Sequence, residues 1–334
     1  CQVYQRYQPQ SIWVLMKTAK HTDYFNRLEK YIMSSIAYVT DSEMLEYHRL
    51  CRNRTIIFWR LANKKKFADF RKGDLLFFFS RPNHGRKKGL VGYAHYDSVK
   101  RLSLNQLWDQ YSEACGYETK QRLEEAIRKA GKGEIPKTMR CLYLTDVVFF
   151  ISPVYPDEIN SLNLTDHLES YTYLDRSDPS VTVKILTAAQ KHGIDLWSAD
   201  PDKNPDEIFR DDVVRHQIAL ISKKIGKESG SEKERALSHK LAELKMKENK
   251  WEMIRGSNSE CLYMDKSKIK IALPLVYQAN DKDLRIREVI GKVTMYRYYI
   301  KKLKFERRIT FELLASKDKE IPEVEKMVED INNG

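Results

Sequence analysis

The chain has little from which to build a covalent scaffold. Its five cysteines, Cys1, Cys51, Cys115, Cys141 and Cys261, are scattered and form no CxxC pair. An odd, dispersed set argues against a disulfide framework or a zinc ribbon. It fits a reducing compartment, so a cytoplasmic location is expected. His48 and Cys51 have a ligand-like spacing, but no second pair completes a metal site, and both read as ordinary helix residues. No apolar run approaches the roughly 20 residues that span a bilayer, so no membrane partner is expected. Residues 1–20 lack the apolar segment of a signal peptide. The chain begins at Cys1 rather than Met, Met16 is the expected start, and residues 1–20 are expected to be an unstructured or extra segment. There is no GxxxxGK loop, no GxGxxG and no GxSxG, and the eight histidines are dispersed, His216 and His239 making no compact cluster. These absences argue against an ordinary hydrolase or dehydrogenase.

What is present is length, positive charge and aromatic side chains. The chain has 334 residues, enough for two domains. Lys and Arg number 59 against 47 acids, a net charge of +12. That excess suits a polyanionic partner, although a merely basic surface explains it too. The 19 tyrosines can serve a core or offer a face to a base.

The most informative stretch runs from Phe58 to Tyr96. Lys72-Gly73-Asp74 reads as a turn, and Leu75 to Phe79 as a buried strand, with Phe77, Phe78 and Phe79 in a core. Pro82 to Gly85 turns the chain, Arg86-Lys87-Lys88 crowns that turn, and Gly89 to Tyr96 returns as a strand. Its two glycines mark a bulge or a close backbone approach. Aromatic residues on both sides of a basic loop supply flat faces for a base and cations for phosphates. Around this stretch, 22–32 reads as a helix, 34–40 and 55–59 as strands, and 41–51 as a helix capped by Asp41 or Ser42. Ser103 and Thr119 cap helices 104–114, with Trp108 in its core face, and 119–130. Residues 140–151 form a strand, broken near Asp146. Strands predominate, and a small closed barrel is the simplest arrangement.

Residues 198–206, SADPDKNPD for the most part, read as a linker between a first domain at 21–197 and a second at 207–334. The second opens with helix 207–225, and Ser231 with Glu234 forms a capping box for the next. Three short strands, a long helix 284–302, a strand 308–315 and a final helix follow. The strand–helix–strand step implies a parallel pair with a right-handed crossover.

On IIFWR (56–60), KGDLLFFFS (72–80), KKGLVGYAHY (87–96), LSLNQLWDQYSEACGY (102–117), CLYLTDVVFF (141–150) and SYTYLD (170–175), the first domain resembles the PUA-like superfamily, which includes EVE, ASCH and YTH domains. It is most similar to those preceding nucleases in modification-dependent restriction enzymes. The resemblance implies a mixed α/β fold with a small β-barrel and flanking helices. It also implies a cleft that holds a flipped or modified base. Phe58 and Trp59 are then the stacking wall, Tyr93 or Tyr96 the opposite face, and Ser80 and Arg81 the groups that reach base or phosphate. Trp59 reads equally as core. Arg86, Lys87 and Lys88 are expected on phosphates.

The second domain resembles the restriction-endonuclease-like fold in its element order and in IREVIGKVTMYRYYI at 286–300. Active members bind Mg²⁺ through an Asp on one strand and an acid-x-Lys pair on the next. Asp265 and Glu234 are the candidate catalytic carboxylates, yet KIKIALPLVYQ at 268–278 contains no acid at all. The expected protein therefore binds nucleic acid, DNA before RNA, in restriction or phage defence, with a degenerate nuclease-like domain and no cofactor. It acts as a homodimer or with a partner nuclease. An active Mg²⁺-dependent endonuclease and an RNA-binding protein are the alternatives.

Overall fold

The computed structural model describes residues 35–61, 70, 72–82, 87–160, 162–199, 204–226, 229–303, 305–316 and 321–334. The helix expected at 22–32 lies outside them. The first unit contains β1 (Ile36–Val39), α1 (Ser42–Leu50), β2 (Ile56–Arg60), β3 (Leu75–Ser80) and β4 (Gly89–Leu102). It continues through α2 (Leu104–Tyr111), α3 (Lys120–Ala130), β5 (Met139–Val154), β6 (Tyr171–Tyr173) and α4 (Val181–His192). The helix starts follow the expected chemistry. Asp41 accepts from the Glu43 amide, Ser103 and Gln106 form a reciprocal capping box, and Thr119 accepts from the Arg122 amide.

The closed barrel is not what these strands make. They form an open six-stranded sheet in the order β2-β5-β4-β3-β1-β6, with β1 parallel to β3 and the other pairs antiparallel. Among the described residues, β2 and β6 end as edges. The sheet curls nonetheless. Phe58 on β2 meets Tyr38 on β1 edge-on at 4.8 Å, and the buried Arg60 guanidinium lies 5.6 Å from the Tyr38 ring and 5.3 Å from the Tyr171 ring. Side chains bring the two edges together where backbone hydrogen bonds do not.

β5 is continuous, not broken. The irregularity at Asp146 is a bulge: its φ is +48°, and the β4–β5 register shifts between Tyr93 and His95. The register also shifts between Leu90 and Gly92, where a Cβ on Gly92 would lie 2.4 Å from the Val148 carbonyl oxygen. That oxygen belongs to the backbone and cannot swing away. Gly92→Ala should therefore destabilise the fold by about 1–3 kcal/mol, the usual cost of forced overpacking. An unchanged urea midpoint would show that the bulge relaxes freely.

Period-two alternation sends β3 side chains into two cores. Phe78 joins Ile36, Phe58 and Leu142 on one side, while Phe77 and Phe79 join Tyr93, Val181 and Ile185 on the other. The second unit contains α5 (Pro205–Ile225), α6 (Glu232–Lys245), β7 (Trp251–Met253), β8 (Cys261–Met264) and β9 (Lys268–Pro274). It ends with α7 (Lys282–Leu303), β10 (Arg308–Leu314) and α8 (Pro322–Asn333). Its sheet runs β10-β9-β8-β7, and β9 pairs in parallel with β10 across the α7 connection. The third core lies here.

α5 belongs to both units. Phe209, in its first turns, sits in the Phe77–Tyr93 core, whereas Ile218 and Ile221 sit in the core of the second sheet. The two units thus share a helix, whose side chains enter both cores. No described helix is long and apolar enough to cross a membrane.

Candidate nucleic-acid interface

Strand alternation separates the expected stacking pair. Phe58 is 3% exposed and faces Tyr38 inside the curled sheet, so it is not available to a base. Its neighbour Trp59, on the opposite face of the strand by alternation, is half-buried and packed against the same cluster. The Trp59 indole N–H is buried and has no acceptor among the described residues. Tyr93 is also withdrawn from any cleft, being fully buried with its hydroxyl committed to Asp212. Tyr96 is half-buried, its ring 4.7 Å from that of Phe70.

The expected basic crown is only partly available. Lys88 donates through Nζ to the carbonyls of Asp166 and Leu168 at 2.8 and 2.9 Å, and through its amide to Asp166 Oδ1 at 2.9 Å. It staples a loop and is not placed for a phosphate. Lys87 is exposed, 3.6 Å from Asp157. Arg86 lies outside the described residues.

Two expected residues do line a depression. At the exit of β3, Ser80, Arg81 and Pro82 form one wall of a cleft of about 170 Å³. Ser42, Leu45, Glu46 and Arg49 of α1 form the other wall, and Val91, Phe149 and Phe150 lie on the apolar side. Ser80 is buried and its hydroxyl donates to the Thr40 carbonyl at 2.9 Å, so it shapes the wall, while Arg81 is exposed. Arg49 bridges Glu46 and Asp195, which lowers the Glu46 pKa and offsets one of the two carboxylate charges on that side. Among the described lining residues, Arg81 is the exposed cation at the mouth. An apolar recess with a cation at its rim suits a planar ring carrying a phosphate.

A second polar centre lies at the junction of the units, and sequence reading missed it. Asp212 of α5 is fully buried. It accepts from the Tyr93 hydroxyl at 2.7 Å, His95 Nε2 at 2.9 Å and Arg215 at 3.2 Å. The other His95 nitrogen faces Asp146 at 3.5 Å. His216 Nδ1 donates to the Asp212 carbonyl at 3.1 Å, and Arg255 of the second unit lies 3.2 Å from the His216 ring nitrogens. Burial opposes charge on both members of the central pair. Their mutual attraction wins, helped on Asp212 by Arg215 and Arg255 and on His95 by Asp146 against the opposing Arg255: Asp212 titrates well below the usual carboxylate range and His95 above the ordinary 6.5. His216 goes the other way, held neutral by burial and by Arg255. No local motif signals this centre, because its members come from β4, β5, α5 and the loop after β7.

The candidate nuclease carboxylates are engaged separately. Asp265 caps the β8–β9 turn, accepting from the Ser267 and Lys268 amides at 2.8 Å each and from the Tyr263 hydroxyl at 3.0 Å. Those amides hold it below the carboxylate range. Glu234 closes the α6 capping box on Ser231 and lies 3.4 Å from Arg285. Among the described residues, no three His, Cys, Asp or Glu side chains converge as a metal site.

No family model and no curated protein matches the chain. Among solved structures, the chain is similar to the ASCH protein of Zymomonas mobilis, at 13% identity and a TM-score of 0.31, over 45% of this chain and 94% of that one. Two single-substitution variants of the same protein match at 14% and 12% identity, both with a TM-score of 0.32, over 97% and 96% of their length.

Proposed function

We propose that this protein binds nucleic acid and that its first unit holds a single base, flipped or unpaired, in the cleft at the β3 exit. The observation that supports this reading most is the pairing of an apolar recess of about 170 Å³ with the exposed Arg81, in a chain of net charge +12. The recess accepts a base face, and Arg81 takes the adjoining phosphate. The finer form of the proposal is recognition of a modified base.

Arg81→Ala should weaken binding of a single-stranded oligonucleotide by about 1.5–3 kcal/mol, the range of a hydrogen bond to a charged group. It should also reduce the salt slope by about 0.7, one single-strand phosphate contact. Fluorescence anisotropy with DNA and RNA versions, each with and without modified bases, measures both and ranks the ligands. Affinity and slope both unchanged in the variant would remove Arg81 from the interface.

The second unit is proposed to support binding rather than to hydrolyse. Phosphodiester cleavage by a divalent ion needs converging oxygen ligands. Asp265 and Glu234 are instead spent on a turn and a helix cap. Incubated with Mg²⁺ or Mn²⁺ and a panel that includes modified DNA, the protein should leave every substrate intact. Metal-dependent cutting that disappears in Asp265→Ala would make it an endonuclease.

A further inference from the structure

α1 ends in a Schellman turn. The Asn53 amide donates to the His48 carbonyl at 3.0 Å and the Arg52 amide to the Arg49 carbonyl at 3.3 Å. The left-handed position of that turn usually belongs to glycine, but here it is Arg52, at φ +55°. Its guanidinium lies 3.8 Å from the centre of the Trp197 ring. The indole is fixed on further sides. Its Nε1 donates to the Leu50 carbonyl at 3.4 Å, and its amide donates to Asp195 Oδ1 at 3.0 Å. Asp195 in turn is held by Arg49 at 3.0 Å.

Trp197 is thus oriented by named contacts and still 54% exposed. A large aromatic held in place yet left in water is available for a flat partner. Its surroundings say which kind. Leu50, Ile151 and Leu196 are exposed nearby in the chain's path, and Ile151 and Arg49 also line the Arg81 cleft. Arg54 lines a recess with Asp195 and Ser198, on the other side of the same segment. The surface from Arg81 to Arg54 therefore alternates cations with apolar faces: Arg49, Arg52, Arg54 and Arg81 outnumber its acids Glu46, Asp146 and Asp195, and Arg49 bridges Glu46 and Asp195. A polyanionic strand with exposed bases matches that pattern. A duplex, whose bases are stacked on each other, would leave Trp197 unused.

We propose that Trp197, backed by Arg52, is a second stacking platform, and that a single strand runs from the Arg81 cleft across it. The inference rests on the reading of the cleft as a base site. It goes beyond that reading by assigning the strand's path and a second base contact. Arg52 then has two roles: it stiffens the indole from behind and adds a positive charge beside the strand.

The test uses the full chain and fluorescein-labelled hexanucleotides of thymidine and of uridine, with anisotropy as the readout. Trp197→Ala should weaken hexanucleotide binding about tenfold, within the usual range for one base stacked on an aromatic ring. Trp197→Phe should retain most of the affinity, and a 5-iodouridine hexanucleotide should crosslink to the peptide carrying Trp197. If Trp197→Ala binds like the wild type while Arg81→Ala is weakened, the platform is wrong and the cleft stands. If the wild type binds neither hexanucleotide, both fail. If the alanine variant keeps its oligonucleotide affinity but loses self-association in sedimentation, the patch seats a second copy and the proposal is overturned. Should the alanine variant not fold, the phenylalanine variant and the crosslink decide, and an absent crosslink to this peptide contradicts the platform.

Discussion

Asp212→Ala should cost about 3–5 kcal/mol of folding free energy, the loss typical of removing one partner from a buried ion pair. The substitution would leave the half-buried His95 and Arg215 without the carboxylate that both contact, and the buried Tyr93 hydroxyl without its acceptor. Urea denaturation measures the loss; a change below about 1 kcal/mol would mean that the cluster re-pairs or hydrates without difficulty. The same centre sets a pH dependence. His95 is raised above 6.5, so its contribution is complete below that value and is lost as pH climbs through the higher folded pKa. Asp212 is depressed, so its contribution is complete above 3.8 and is lost as pH falls below it. The stability difference between wild type and His95→Asn should therefore be largest on the acid side of 6.5 and shrink above it. A difference that grows with rising pH would contradict the assigned direction.

Glu260→Ala should be of similar size but confined to the second unit. The Glu260 carboxylate is buried and accepts from the Tyr296 hydroxyl at 2.6 Å, the Ser222 hydroxyl at 2.7 Å and Lys292 Nζ at 3.0 Å. Its removal should cost about 3–5 kcal/mol, because a cation and two hydroxyls lose their acceptor together. Hydrogen exchange separates the two variants. Glu260→Ala should speed exchange in β8, β9 and α7 before β3 and β4 are affected, whereas Asp212→Ala should speed it on both sides of α5. Equal loss of protection throughout β3–β5 in Glu260→Ala would show that the units unfold as one.

Local chemistry was legible in the sequence where it acts locally. The caps at Asp41, Ser103, Thr119 and Ser231, the buried Phe77–Phe79 run and the close approach at Gly92 all follow from neighbouring residues. So does the parallel β9–β10 pair, which the intervening helix requires. The open sheet does not follow, because closure depends on whether β2 finds a hydrogen-bonding edge, and no single strand encodes that. Reading Phe58 and Trp59 as one wall ignored alternation, which places consecutive residues on opposite faces. Tyr93 was misplaced because its partner, Asp212, is 119 residues away. Trp197 was hidden by the acidic, proline-bearing stretch after it, which reads as a linker although Trp197 itself is anchored on α1. The exposure of Arg81 was legible because the end of a strand is where a side chain escapes the sheet.

The central claim is that this surface binds a nucleic-acid strand through charge and stacking together. The most direct measurement is the affinity of the wild-type protein for a labelled single-stranded hexanucleotide as a function of salt. Contacts from Arg52 and Arg81 at about −0.7 each predict a slope of log K against log salt of about −1.4, with residual binding at high salt from the stacked bases. No saturable binding at low salt, or an affinity indifferent to salt, would contradict the account.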